Sequence, residues 1–170
     1  MQRHRRMVLA AAAALTFGVA ACSSNASPAA SAGDASPDNP LIDCRAVTDA
    51  EIGVVVDASA SKHLIDHTSC TWHAQGPDGA TDISFTWSRH ATLWTAETAA
   101  KQQGYTTEPV DLQHGSGFYA RNPHDADECK LAAEDQGVVT WGVRDENRDV
   151  RPDPCNAALQ LTNLTVKADY

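Results

Sequence analysis

Residues 69–89 read SCTWHAQGPDGATDISFTWSR, and this stretch decides the fold. Polar and apolar residues alternate on both sides of the tetrapeptide GPDG at 76–79, which has strong turn chemistry. Alternation with a period of two is typical of strands that bury one face. The stretch therefore predicts a β-hairpin with strands at 69–74 and 82–89. The side chains expected on its buried face are Cys70, Trp72, Ile83, Phe85 and Trp87.

The segments around this hairpin predict helices and further short strands. Thr48 and Glu51 have capping-box spacing, which predicts a short helix ending near residue 56. Apolar spacing predicts a second helix over 92–103, and Asp153 before a proline predicts the N-cap of a third. Further strands are expected at 110–113, 117–121, 128–133 and 138–144, and the last helix should bury Ala157, Leu161, Leu164 and Ala168. This order indicates an α+β fold, an antiparallel β-sheet with two or three helices packed on one face.

The first residues of the chain have the pattern of an export signal. A basic segment at 2–6 precedes an apolar run at 7–19 that is too short to span a bilayer. The run leads into Val19-Ala20-Ala21-Cys22, which resembles the bacterial lipobox. We expect residues 1–21 to be a lipoprotein signal peptide, cleaved between Ala21 and Cys22, and Cys22 to carry the lipid anchor. Two adjacent arginines in the basic segment also loosely resemble a twin-arginine signal, so both export routes stay open.

A linker and one folded domain follow the signal. Residues 22–39 are the lipidated cysteine and a Ser/Ala/Pro-rich tether without any large apolar side chain. Such a segment cannot bury enough surface to offset the entropy of ordering it. Residues 40–170 are long enough for one hydrophobic core and too short for two. We therefore predict a single domain on a flexible linker, placed at the extracytoplasmic face of the cell membrane.

The charge of the chain excludes one large class of function. With 13 Lys and Arg against 22 Asp and Glu, the formal net charge is −9. Cleavage after Ala21 would remove three arginines and no acid, so the mature chain would be still more acidic. An acidic surface is repelled by nucleic acid and by anionic lipid head groups alike. We therefore expect no nucleic-acid partner, and we expect contact with the membrane through the lipid anchor alone.

Cys44, Cys70, Cys129 and Cys155 make an even number in an exported chain, which predicts two disulfides. The pairing Cys44–Cys70 with Cys129–Cys155 is favoured, because each bond would join a helix start to a nearby strand. The main alternative is Cys44–Cys155 with Cys70–Cys129. Zinc sites and redox-active pairs use short cysteine spacings that this chain does not have. We interpret the four cysteines as structural.

These motifs together resemble a known family. They are the lipobox at Cys22, Ile42-Asp43-Cys44, the capping box from Thr48, Ser69-Cys70-Thr71-Trp72, and Asp153-Pro154-Cys155. The set is similar to actinobacterial, mycobacterial-type cell-envelope lipoproteins whose domain is of unknown function. The resemblance implies an exported, lipid-anchored domain with paired cysteines, and it implies no catalytic residues. One departure is that the family usually opens on Asp-Pro-Cys, whereas this chain has Ile42-Asp43-Cys44.

Four segments are candidate sites of chemistry. His63 and His67 would share a face if they lay on a helix, but a loop before the strand at Ser69 is favoured over a metal site. Residues 145–149 mimic the start of a calcium loop that lacks its Gly and Glu. Residues 114–117, with His114 and Ser116, lack the nucleophile elbow. The remaining segment is a charged turn with Asp125, Asp127 and Glu128. We predict no catalytic residue, metal or cofactor.

The tryptophans bear on the choice between a core and a binding platform. Trp72, Trp87 and Trp141 fall at predicted strand positions that face the core, whereas Trp94 begins a helix and is the one expected at the surface. The leading hypothesis is a non-enzymatic binding module whose partner is an envelope protein or a small envelope ligand. The alternatives are a carrier with an apolar pocket between sheet and helices, and an uncharacterised hydrolase. A filled core with an exposed apolar patch would favour a protein partner.

Overall fold

The computed structural model describes residues 39–77, 79–145 and 153–166. The predictions for residues 1–38, for 146–149 and for Ala168 lie outside this range. A 3₁₀ turn at Ile42–Cys44 precedes the first helix. The helices are α1 (Asp49–Val55), α2 (Leu93–Gln102) and α3 (Pro154–Val166). The strands are β1 (Ser59–Asp66), β2 (Ser69–Gly76), β3 (Gly79–Ser88), β4 (Thr106–Leu112), β5 (Gly115–Asn122), β6 (Asp125–Glu134) and β7 (Val138–Asp145).

The strands form one seven-stranded antiparallel sheet in the order β1-β2-β3-β7-β6-β5-β4. The first three strands and the last four are each connected by tight turns. The two groups join where β3 pairs with β7 over eight residue pairs, from Thr81↔Asp145 to Ser88↔Val138. The edge strands are therefore β1 and β4, at opposite sides of the sheet. The predicted α+β class with a disulfide-linked antiparallel sheet is confirmed.

The hairpin of residues 69–89 is also confirmed and supplies the centre of the core. Cys70 stands opposite Phe85 and Trp72 opposite Ile83, and Gly76 pairs with Gly79 at the turn. The alternation continues into β7, where Trp141 stands opposite Phe85. This face of the sheet is covered by α1 and α3. The helix side chains that pack into this core are Ile52, Ala157, Ala158 and Leu161.

The prediction that the helices share one face is wrong for α2. This helix packs against a separate buried cluster that contains Phe118, Ala120 and Ala132. These residues alternate along β5 and β6 with residues such as Leu131 that face α3, so they point to the opposite side of the sheet. The sequence signal is the buried run of apolar residues at 131–133, because a strand covered on both faces has no polar alternation.

The interpretation of residues 63–67 as a loop is wrong for His63 to Asp66. They belong to β1, which pairs with β2 from Ser59↔Gln75 to Asp66↔Ser69 with a bulge after Leu64. The strand is an edge strand and most of its residues are exposed. Its side chains therefore carry little alternation, and backbone pairing with β2 defines it instead. Tertiary context of this kind is not visible in a local hydrophobic pattern.

The favoured cysteine pairing is confirmed. Cys44 is bonded to Cys70, with the two Cα atoms 6.4 Å apart, and thus joins the 3₁₀ turn to β2. Cys129 is bonded to Cys155, with a Cα separation of 5.1 Å, and joins β6 to the first turn of α3. The predicted N-cap of α3 lies beside this bond, since Asp153 Oδ1 accepts hydrogen bonds from the backbone of Cys155 at 2.8 Å and Asn156 at 3.1 Å. Each disulfide thus fixes one chain segment to the sheet.

One carboxyl group at the β6–β7 turn lowers stability. Within the described residues, the buried Oδ2 of Asp135 has no hydrogen-bond partner, and burial raises the pKa of this carboxyl. The native state therefore holds the proton more tightly than the unfolded chain. The ionised carboxyl costs stability as the pH rises from the ordinary value of 3.8 through the raised native pKa, and the cost is absent below both.

We expect Asp135→Asn to raise the melting temperature at pH 7 by about 2–4 °C, because it removes a partly desolvated charge worth about 1 kcal/mol. At pH 3 the gain should nearly disappear. Thermal unfolding at the two pH values measures the difference. The matched control is Glu134→Gln, a neighbouring exposed carboxylate, which should not change the melting temperature at either pH. An equal gain from Asp135→Asn at both pH values would contradict this explanation.

Candidate functional site

The candidate site is an open groove between α1 and α3, with a volume of about 550 Å³. We call it the α1–α3 groove. Its lining residues come from α1, from the β4–β5 turn and from the second half of α3. They are Ala50, Glu51, Val54, Val55, Gln113, Gln160, Asn163 and Leu164. Helices distant in the sequence therefore build one surface.

The groove exists because α1 and α3 both pack on the sheet without closing against each other along their outer sides. Ile52 on α1 is fully buried, and Val56 directly after the helix is 5% exposed, so these two residues hold the helix to the core. Val54 lies between them and points away, and it is 83% exposed. On α3, Leu161 is buried while Leu164 is only partly buried against the core. Aliphatic side chains are thus left accessible along the groove.

The start of α1 is fixed by the predicted capping box. Glu51 Oε2 accepts a hydrogen bond from the Thr48 backbone at 2.8 Å and from the Thr48 hydroxyl at 2.7 Å. The Thr48 hydroxyl in turn accepts from the Glu51 backbone at 3.2 Å. The hydrogen bonds from Thr48 lower the pKa of Glu51, so this side chain stays ionised. The box sets where α1 begins and hence where Val54 projects.

Among the described residues that line it, the groove carries one negative charge, that of Glu51, and no positive charge. Glu51 is the one ionisable residue among those that line it, and its carboxylate is already engaged by Thr48. Gln113, Gln160 and Asn163 place neutral amides around the aliphatic strip. Amide side chains both donate and accept hydrogen bonds. An apolar floor with a few polar groups at its margin is the usual composition of a binding site.

The structure separates the histidines that a hydrolase would need to bring together. His63 lies in β1, and His67 lies in the β1–β2 turn, where its Nδ1 is 2.7 Å from Asp43 Oδ1. His114 lies in the β4–β5 turn, next to the opposite edge of the sheet. Ser116, in β5, is far from the β1 histidines for the same reason. These residues do not form a shared cleft.

The acidic segment 125–128 is part of β6, so the interpretation of this segment as a charged turn is wrong. Asp125 Oδ2 lies 3.2 Å from Arg144 Nε, and Glu128 Oε1 lies 3.1 Å from Lys130 Nζ. The two carboxylates therefore pair with separate cations, one on β7 and one on β6. Asp127 lies between them in the same strand. This arrangement does not have two carboxyl groups facing each other across a cleft.

Other kinds of site need a metal-binding cluster or a membrane-spanning helix. Among residues 39–77, 79–145 and 153–166, no three His, Cys, Asp or Glu side chains lie close enough to hold a metal ion. Over the same ranges, no helix is both long and apolar enough to cross a membrane. The tryptophan predictions are confirmed, since Trp72, Trp87 and Trp141 are buried and Trp94 is 73% exposed.

Sequence reasoning did not find the α1–α3 groove. Val54 follows the apolar pattern of a helix that buries one side, and nothing local distinguishes it from the buried Ile52. The position of the groove depends on the distance between α1 and α3. These helices share one face of the sheet, but all seven strands lie between them in the sequence. One signal was available: α1 has apolar residues at 52, 54, 55 and 56, which is more than one helical face can bury.

The fold and the groove define a class, a disulfide-bonded α+β domain that presents an aliphatic surface groove above a filled core. A family described as "Protein of unknown function (DUF3558)" matches residues 17–168. The match spans most of the chain, and the chain belongs to this family. It takes in Val19 to Cys22 as well as the whole described domain. No curated protein and no solved structure matches the chain.

Proposed function

We propose that this protein is a lipid-anchored, extracytoplasmic binding module of the cell envelope, and that its α1–α3 groove binds an apolar segment of another envelope protein. The observation that carries the proposal is the exposed aliphatic strip around Val54 above a closed core. Exposing such a strip to water costs free energy, and a bound partner would remove that cost by covering it. The partner is therefore expected to bury Val54.

The anchor rests on the sequence before the folded domain. A basic segment and a short apolar run precede Val19-Ala20-Ala21-Cys22, and the family match begins at residue 17 and includes this tetrapeptide. Diacylation provides about 0.8 kcal/mol for each buried CH₂, so two chains give stable attachment where one would be marginal. The two disulfides are consistent with export to an oxidising compartment.

The groove favours a protein segment over a small apolar cargo. The large apolar side chains Trp72, Trp141 and Phe85 fill the space between sheet and helices, each no more than 1% exposed. The groove lies outside that core and is open to solvent. Its margin carries Gln113, Gln160 and Asn163, whose amides can pair with peptide N–H and C=O groups. A short apolar peptide segment satisfies both the floor and the margin.

A carrier of a small apolar ligand is the second candidate. The observation in its favour is the groove volume of about 550 Å³, which falls within the range of small-molecule sites, roughly 300–1,000 Å³. The same residues would line the site in either case. The two candidates differ in what remains bound when the protein is isolated.

The anchor is tested by Cys22→Ala. We expect the variant to lose acyl labelling, and to be either released from the membrane or retained there as the uncleaved precursor. Immunoblotting of fractions, together with metabolic labelling by a fatty acid, measures both effects. Ser23→Ala, which changes the next residue and keeps the cysteine, is the control and should fractionate as the wild type does. Unchanged membrane attachment and labelling of Cys22→Ala would exclude the proposed anchor.

The groove is tested by photo-crosslinking in living cells. A benzophenone amino acid at position 54 should form one reproducible adduct, mapped by mass spectrometry to an apolar segment of an exported protein. The same probe at position 94, an exposed site on α2, should not form this adduct. Gln160→Trp, which fills the groove from an exposed position on α3, should abolish it. Identical adducts at both positions, or an adduct that survives Gln160→Trp, would contradict the proposal.

A further inference from the structure

A second cavity lies under α2, on the sheet face opposite the α1–α3 groove, with a volume of about 260 Å³. We call it the α2 cleft. Its roof is the underside of α2, where Ala96, Ala99 and Ala100 leave space that larger side chains would fill. Its floor is formed by β3, β5, β6 and β7, and the apolar side chains on it are Phe118, Ala120 and Ala132. The polar side chains that reach it from the floor are Ser84, Thr86, Thr140 and Lys130.

Gly142 keeps the floor of the α2 cleft open. It lies in β7 directly opposite Ser84 in β3 and Lys130 in β6. A Cβ atom at this position would stand 2.5 Å from the Ser84 hydroxyl oxygen and 3.4 Å from Lys130 Cγ. The absence of a side chain thus lets the Lys130 stem and the Ser84 hydroxyl approach each other across the central strand. A larger residue would displace both.

One end of the α2 cleft is a fixed polar cluster. Lys130 Nζ donates to the Tyr105 hydroxyl at 2.7 Å and lies 3.1 Å from Glu128 Oε1. The Tyr105 hydroxyl donates to the same Glu128 oxygen at 3.0 Å. Asn122 Nδ2 donates to the other Glu128 oxygen at 3.1 Å. Both carboxylate oxygens of Glu128 therefore accept hydrogen bonds, and the Lys130 side chain is held in place.

The cluster stays ionised and carries no net charge. Burial opposes ionisation of Glu128, but hydrogen bonds from Asn122 and Lys130 outweigh it and lower the pKa of this carboxyl. Burial likewise opposes ionisation of Lys130, and the contacts with Tyr105 and Glu128 outweigh it and raise its pKa. The ammonium has three N–H donors, and two of them serve Tyr105 and Glu128. The third donor has no partner among the described residues, so it is available to a ligand.

Three hydroxyl groups extend the polar surface beyond this cluster. Those of Ser84, Thr86 and Thr140 have no hydrogen-bond partner among the residues that the structure describes. Thr86 stands opposite Thr140 in the register, and Ser84 stands opposite Gly142, so the three are neighbours on one face. Each hydroxyl can donate one hydrogen bond and accept others. Together they present donors and acceptors in a row.

We propose that the α2 cleft binds one small, neutral, hydroxyl-rich molecule of about the size of a single sugar ring. Hydroxyls that both donate and accept match the row of Ser84, Thr86 and Thr140, and one more acceptor matches the spare donor of Lys130. A free anion fits less well, because Glu128 already balances Lys130 and the chain is strongly acidic. The volume of about 260 Å³ lies just below the usual range of small-molecule sites, about 300–1,000 Å³, and limits the ligand to about one ring. This inference is independent of the proposed role of the α1–α3 groove.

The test is isothermal titration calorimetry on the intact protein as isolated from its host. The neutral probes are glucose, galactose, N-acetylglucosamine and myo-inositol, and the anionic probes are acetate and inorganic phosphate. We expect at least one neutral probe to bind and neither anion to bind. Absence of binding by all four neutral probes would overturn the proposal. Binding of an anion that is lost in Lys130→Met would overturn the assignment of ligand class.

Hydroxyl deletions then locate the site. Ser84→Ala and Thr140→Val should each weaken the binding by about 3- to 10-fold, the loss expected for one neutral hydrogen bond. Because these hydroxyls have no described partner, the melting temperature should stay unchanged. Gly142→Ala should abolish binding by narrowing the floor, provided that its melting temperature shows a folded domain. The control is Thr106→Val. Thr106 lies in the edge strand β4 and does not line the α2 cleft, so this variant should bind as the wild type does. Wild-type affinity in both hydroxyl variants would overturn the proposed site.

Discussion

Replacing Trp141 by Ala is expected to lower the free energy of unfolding by about 3–5 kcal/mol, the cost of removing a large side chain from a packed core. Trp141 is 1% exposed at the centre of the sheet. Its ring centroid lies 4.9 Å from that of Phe85 and 5.4 Å from that of Trp72. Its indole Nε1 also donates a buried hydrogen bond of 2.8 Å to the Thr165 hydroxyl. One substitution thus removes packing and leaves a buried hydroxyl with one fewer partner.

Urea unfolding of Trp141→Ala measures the loss, and Trp94→Ala is the matched control. Trp94 is 73% exposed on α2, so its replacement should change the free energy of unfolding by no more than about 0.5 kcal/mol. Both variants replace Trp by Ala, so the difference between them reports the effect of burial. A small effect of Trp141→Ala, or equal effects of the two substitutions, would contradict the described core.

Removal of either disulfide is expected to lower the free energy of unfolding by about 3.5 kcal/mol according to the chain-entropy relation. Each bond closes a loop with a sequence separation of 26, so the unfolded-state effect should be equal for the two. The variants are Cys44→Ala with Cys70→Ala, and Cys129→Ala with Cys155→Ala. Removal of all four cysteines should leave little folded protein, because domains of this size have only about 5–15 kcal/mol of stability.

Equal loop lengths make the difference between the two double variants informative. Any inequality in their stability comes from the native state, since loop closure in the unfolded chain is the same. Each double variant should retain the other bond, which peptide mapping without reduction detects. Scrambled pairing, such as Cys44 with Cys155 in the wild type, would contradict the described framework. Stability unchanged by either removal would contradict the predicted contribution.

Much of the fold was predictable from local patterns. The hairpin at 69–89 has strict alternation and an unambiguous turn, and Thr48 and Asp153 mark helix starts through cap chemistry. The strand β1 was not predictable, because an exposed edge strand is defined by backbone pairing with β2. The face that α2 covers was also missed, since periodicity shows that a helix buries one side and does not show against which face it packs.

The candidate site was less predictable than the fold. Both cavities are lined by elements far apart in the sequence: Val54 and Leu164 in the α1–α3 groove, and Ser84 and Lys130 in the α2 cleft. The small residue that keeps the α2 cleft open, Gly142, has no local turn to explain it. A glycine inside a strand marks a place where another group approaches closely. The sequence contained that signal, but it did not show which residues approach Gly142.

Native mass spectrometry of the protein, released gently from the membrane of its own host, tests the central claim most directly. The proposed function predicts a chain that begins at Cys22. Its mass should equal that of the chain with the acyl anchor and both disulfides formed, with no further apolar adduct. A chain that keeps residues 1–21 or lacks the acyl groups would contradict the lipid anchor. A reproducible apolar adduct that disappears in Gln160→Trp would contradict the protein-binding role and identify the groove as a carrier site.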